Sequence, residues 1–126
     1  MDYINLFRDA QKRPNAYGIS GNYSEMVAFI MGCDAGNEWG LLAGFPHWLA
    51  LRYGLEANLS WPAMIERIST QTPKGESLSR DDDHKISTLF QHVESFLEER
   101  TGPHFTATTI TNYVEAKLRA RTQDPS

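Results

Sequence analysis

The amino-acid sequence predicts an all-α fold: a compact single domain of five or six helices over residues 1–126, without substantial β-sheet. Three observations carry this reading. Apolar side chains recur at helical spacing in several windows, alternating runs of the strand type are few, and clusters of Gly, Pro and Asn punctuate the chain between the periodic windows. The length of 126 residues suits one domain, and 40% hydrophobic residues, with three Trp, six Phe and five Tyr, are enough for one ordinary core.

The first helix is expected over about Asp2–Gln11, with Tyr3, Leu6, Phe7 and Ala10 turned inward and Pro14 ending it. PNAYGISGN, residues 14–22, then reads as a structured loop from which Tyr17 packs back onto the core. A second helix over about Tyr23–Ala35 carries Met26, Val27, Phe29, Ile30, Met31 and Cys33, which leaves little polar face and places it centrally. Gly36 and Asn37 end it, because both tolerate the left-handed conformation.

EWGLLAGFPHW is expected to be irregular until a third helix starts near Pro46, with Trp48, Leu51 and Leu55 as one stripe and Phe45 and Leu49 alongside. Ser60 before Trp61 and Pro62 signals the start of a fourth helix, in which Trp61, Met64, Ile65 and Ile68 share a face. The stretch 71–79 reads as a flexible connection. Ile86, Leu89, Phe90, Val93, Phe96 and Leu97 define the fifth and clearest helix, with Ser79 or a nearby Asp as its cap and Gly102 and Pro103 as its stop. A sixth helix over about Ala107–Arg121 is expected to bury Ile110, Tyr113, Val114 and Leu118.

Recognisable chemistry is sparse. Cys33 is the only cysteine, so neither a disulfide nor a Cys-rich zinc site is available within the chain. Within its apolar helix the thiol is expected to pack as a small hydrophobe. His47, His84, His92 and His104 lack metal-ligand spacing, and surface or capping roles are expected for them. Asp81, Asp82 and Asp83 lack the alternation and the central Gly of a calcium loop; acids at a helix start interact favourably with its free amides. No metal, cofactor or catalytic residue is expected.

A net charge of −4 argues against a nucleic-acid surface. The charge is unevenly spread: residues 76–99 hold seven acids against two cations, and residues 100–126 hold four cations against two acids. No apolar stretch is long enough for a bilayer and the N-terminus does not read as a signal peptide, so a cytoplasmic location is expected.

Several segments, taken in order, carry a resemblance. KRPNAYGISG, residues 12–21, is similar to the KRPGMYIG signature of gyrase-type ATPases at those positions alone; the phosphate and Asp motifs of such enzymes are missing. Over residues 1–100 a broader arrangement resembles small bacterial immunity proteins of polymorphic toxin systems. The helix ending in KRP and its Tyr-Gly loop, Lys12 to Gly18, is followed by SEMVAFIMGCDAG at 24–36, GFPHWLALRYG at 44–54, SWPAMI at 60–65 and FLEE at 96–99.

The resemblance implies a binding protein, not an enzyme, that neutralises a cognate protein toxin by complex formation. Acids can steer a basic partner and an exposed aromatic can anchor it, which selects Trp39, Asp81, Asp82, Asp83, Glu94 and Glu98 as partner-binding residues. Two alternatives stand beside this reading. One is a small enzyme or ligand-binding protein with a pocket near Tyr17, Asp34, His47 and Arg52, where Asp34 pairs with Arg52; the other is a scaffold subunit that self-associates through its last helix.

Overall fold

Helix starts are fixed by side chains that take up free backbone amides. Asp2 accepts a hydrogen bond from the Asn5 amide at 3.2 Å, and Asn22 does the same for Glu25 at 2.9 Å. Asp82, 59 residues further along the chain, accepts from the Tyr23 amide at 3.2 Å, so the start of one helix is capped by another.

The computed structural model describes residues 1–57, 59–71, 81–100 and 104–123. Among these lie six α-helices and no strand: α1 (Tyr3–Lys12), α2 (Tyr23–Gly36), α3 (Phe45–Tyr53), α4 (Trp61–Gln71), α5 (Asp81–Glu99) and α6 (Phe105–Gln123), with a 3-10 turn over Pro14–Tyr17. The expected connection at 71–79 falls, beyond Gln71, outside the described residues, as do the Ser79 cap and the Gly102–Pro103 stop.

Helix α5 is the spine, packed against α1, α2 and α4, while α3 joins α4 to α6. Its expected stripe is the one buried: Ile86, Leu89, Phe90, Val93 and Phe96 all lie in the core. Rings from separate elements meet along it. Phe7 packs edge-on against Phe29 and Phe90, and Phe45 contacts Trp48, Trp61 and Phe96. The α4 face is also as expected, with Trp61, Met64, Ile65 and Ile68 buried, and Tyr17 packs against Phe29 from the 3-10 turn.

Two expected faces are different in the structure. On α3 the expected Phe45, Trp48 and Leu49 are buried together with Ala50, whereas Leu51, expected in the stripe, is exposed. On α6, Tyr113 packs against the body as expected, but Ile110, Val114 and Leu118 are exposed. Helix α6 docks instead through Phe105, which packs on Phe96, through Thr106, whose hydroxyl donates to the Ala43 carbonyl at 3.1 Å, and through buried Thr109. That attachment turns the aliphatic row roughly a third of a turn away from the body. Gly44 permits it: its φ is +88°, and a Cβ there would sit 3.3 Å from the Thr106 methyl group.

Candidate partner-binding site around Trp39

The segment after α2 is irregular, yet its backbone groups are held from several sides. The Asp34 carbonyl accepts from the amides of Asn37 and Trp39, at 3.0 and 2.8 Å, and the buried Asp34 carboxylate accepts from the Leu42 amide at 3.0 Å. Asn37 donates to the Tyr3 hydroxyl at 2.6 Å and to the Cys33 carbonyl at 2.7 Å. Arg100, just beyond α5, donates to the carbonyls of Gly40, at 3.1 Å, and Leu41.

Within this frame Glu38 and Trp39 both adopt left-handed backbone, with φ of 56° and 61°. For residues with a bulky side chain that conformation costs roughly 1–2 kcal/mol each, and it persists because the surrounding bonds determine the turn. The indole it displays is 64% exposed. An open hollow of about 200 Å³ adjoins the same loop, lined by Met1, Ile4, Leu41, Leu97 and Arg100 among others.

Glu94 and Glu98 lie on α5 on either side of Leu97 in the sequence, and their charge is shared. Arg8, one turn along α1 from Ile4, reaches both carboxylates, at 2.8 and 3.5 Å. The Asp residues lie elsewhere. Asp82 caps α2, Asp83 lines an open hollow with Gln11, Gly21 and Ser87, and the Asp81 side chain lies outside the described residues. From Asp82 to Glu98 is roughly 24 Å along the helix axis. The residues expected to form one surface therefore fall into two groups at opposite ends of α5, with Trp39, Glu94 and Glu98 at its C-terminal end.

The four residues of the alternative pocket have separate partners. Tyr17 donates to Asp9 at 2.6 Å, Asp34 holds Leu42, and the His47 ring lies edge-on to Tyr113. The Arg52 guanidinium stacks over Trp48, 4.7 Å from the ring centroid, and pairs with Glu99 at 3.4 Å. The expected Asp34–Arg52 pair is thus replaced by two others, because α2 spends its carboxylate on its own following loop. Hydrogen bonds from Arg13 and then Tyr17 hold the Asp9 carboxyl down at about 2.

One polar pair escaped the sequence reading. Tyr53 and His92 meet between α3 and α5, with His92 buried. His92 Nδ1 lies 2.7 Å from the Thr88 carbonyl, which can only accept, so Nδ1 carries the proton and Nε2 accepts from the Tyr53 hydroxyl. Burial, with a smaller contribution from Arg52, pushes the imidazole below its ordinary range. His84 is buried too, and its Nε2 lies 2.9 Å from the Ser69 carbonyl in the last turn of α4. Both histidines, expected at the surface or at caps, serve as ties between helices; only the i, i+4 spacing of Thr88 and His92 hinted at one of them.

No group of three or more His, Cys, Asp or Glu among the described residues is arranged to hold a metal ion, and none of the described helices is long and apolar enough to cross a membrane. Comparisons with family models, curated proteins and solved structures found no match to this chain.

Proposed function

We propose that this chain is a protein-binding domain whose contact surface is centred on Trp39, and that its partner is a cognate toxin which it neutralises by complex formation without catalysis. The observation that supports the binding surface is the indole: a large aromatic ring exposed on a turn whose strained backbone is fixed by Asp34, Asn37 and Arg100. Exposed aromatic anchors beside a hollow are the usual source of affinity at protein interfaces. The toxin, and with it a bacterial and cytoplasmic setting, rests on the sequence resemblance over residues 1–100.

The test begins with the reading frame next to this one. A large protein with a C-terminal toxin domain is expected there, and co-expression of the present chain is expected to restore growth of cells producing that domain. Trp39→Ala is expected to weaken the complex by at least ~2 kcal/mol, about thirtyfold in Kd, while leaving the thermal midpoint unchanged. Full growth protection and unaltered affinity in a folded Trp39→Ala variant would remove the indole from the interface. Absence of binding to the encoded domain would remove the toxin.

A further inference from the structure

Five tyrosines allow a comparison of phenols within one chain. A phenol becomes a nucleophile when a neighbouring base takes its proton, and that base must be unprotonated yet basic enough to hold it. Among the described residues four of the tyrosines lack such a neighbour. Tyr3 and Tyr113 accept hydrogen bonds, from the Asn37 side-chain amide at 2.6 Å and from the Ala57 amide at 3.1 Å. Tyr23 donates to the Pro62 carbonyl at 2.7 Å, and burial pushes its phenol up. Tyr17 donates to Asp9 at 2.6 Å, but a carboxyl held at about 2 is too weak a base, and the bond raises the Tyr17 phenol instead. Glu56, the carboxylate beside Tyr113, is weakened in the same way by Lys117.

Tyr53 differs. Its hydroxyl donates to His92 Nε2, and the ring is oriented by the bond from its Nδ1–H to the Thr88 carbonyl at 2.7 Å. Burial, and then Arg52, lowers the imidazole, so the ring is neutral at pH 7. Nucleophile, base and orienting group thus stand in line. The base is sealed, at 8% exposed, while Tyr53 is 37% exposed and open to a reagent from solvent. Among the described residues Arg52, which precedes Tyr53 on α3, is the charged group that acts on the ring, and a cation there favours an oxygen that turns negative. We infer that Tyr53 is a nucleophilic phenol that accepts an acyl group from an activated acyl donor, with His92 as its base. Acyl transfer asks of the protein mainly one proton acceptor, whereas phosphoryl transfer needs several charges around the moving group. The Tyr53 Oη bonds to the acyl carbon as its proton passes to His92 Nε2. The bond from that carbon to the leaving group breaks, and the leaving group departs with the proton. An aryl ester remains on Tyr53, His92 is neutral again, and nothing is oxidised or reduced.

The step is stoichiometric, is independent of the Trp39 loop, and its test requires no toxin. The probe is N-acetylimidazole in limiting amount on the full chain at pH 7.5, where an unassisted phenol is ionised to about one part in three hundred. Acetylation of each tyrosine is read by peptide mass, and hydroxylamine, which cleaves aryl esters and spares lysine amides, identifies the esters. A tyrosine that is merely packed reacts more slowly in the folded chain than in urea. Tyr53 is expected to do the reverse, reacting at least about tenfold faster in the folded chain, the low side of what a positioned base supplies, while the other four are slowed or unchanged. His92→Gln, whose amide oxygen still accepts from the hydroxyl but takes no proton, is expected to remove this excess in a chain that circular dichroism shows to be folded. Tyr53 slowed or left unchanged by folding would overturn the inference, as would an excess that survives in folded His92→Gln. If His92→Gln does not fold, the comparison of folded and urea-unfolded parent decides by itself.

Discussion

Single side chains here are held by either packing or one specific polar partner, and the two kinds of support fail differently. Phe90 is buried in the core with its ring edge-on to Phe7 of α1, so Phe90→Ala is expected to cost roughly 3–5 kcal/mol, read as a fall in the denaturation midpoint at unchanged slope. Gly44 fails by geometry. Its positive φ and the nearby Thr106 methyl both oppose a Cβ, and Gly44→Ala is expected to cost about 1–2 kcal/mol or more, with amide exchange rising first in α6. His92 fails by protonation. The folded chain binds that proton less readily than the unfolded one, so its contribution is complete above the ordinary value of 6.5 and is lost as the pH falls from there through the lowered folded value. Denaturation midpoints measured between about pH 7.5 and pH 5.5 are expected to fall in the parent and to fall less in His92→Gln.

At the scale of helices, the sequence was most informative where local chemistry and periodicity agree. The stripe from Ile86 to Phe96 leaves α5 no other face to bury, and Trp61, Met64, Ile65 and Ile68 follow the Ser60 start as one buried face, whereas the caps Asp2 and Asn22 read in the sequence as part of the first helix and of the loop 14–22. What could not be read is whatever depends on the partner element. The row Ile110–Val114–Leu118 has helical spacing whether or not it faces the body, and only the docking of Phe105, Thr106 and Thr109 decides the outcome. The same holds for Arg8 with Glu94, or Tyr53 with His92: nothing in the spacing of residues 86 or 39 positions apart announces a contact. Asp82 shows how a residue read as surface charge becomes a cap once folded. Asp82→Ala is expected to destabilise by about 0.5–2 kcal/mol through the loss of its bond to the Tyr23 amide, with amide exchange increasing at the start of α2.

For the whole molecule, the division of the candidate residues between the two ends of α5 has a bearing on how a basic partner would approach. Exposed carboxylates act over the distance of encounter, whereas packed contacts set residence time. Replacing Asp81, Asp82 and Asp83 together with Asn is therefore expected to slow association more than it speeds dissociation, and to do so less at high salt. The Asp82 cap requires melting of that variant to be followed alongside. Trp39, at the other end, is expected to act chiefly on dissociation.

The grip of Arg100 on the carbonyls of Gly40 and Leu41 matters for binding in another way. A loop already frozen in its bound shape has little conformational entropy left to lose when a partner arrives, and Arg100 supplies much of that freezing from outside the loop. Arg100→Ala would thus weaken a complex formed through the indole even where the guanidinium never meets the partner. Its signature is calorimetric: binding with a less favourable entropy at nearly unchanged enthalpy, accompanied by faster backbone motion at Glu38 and Trp39 in the free protein.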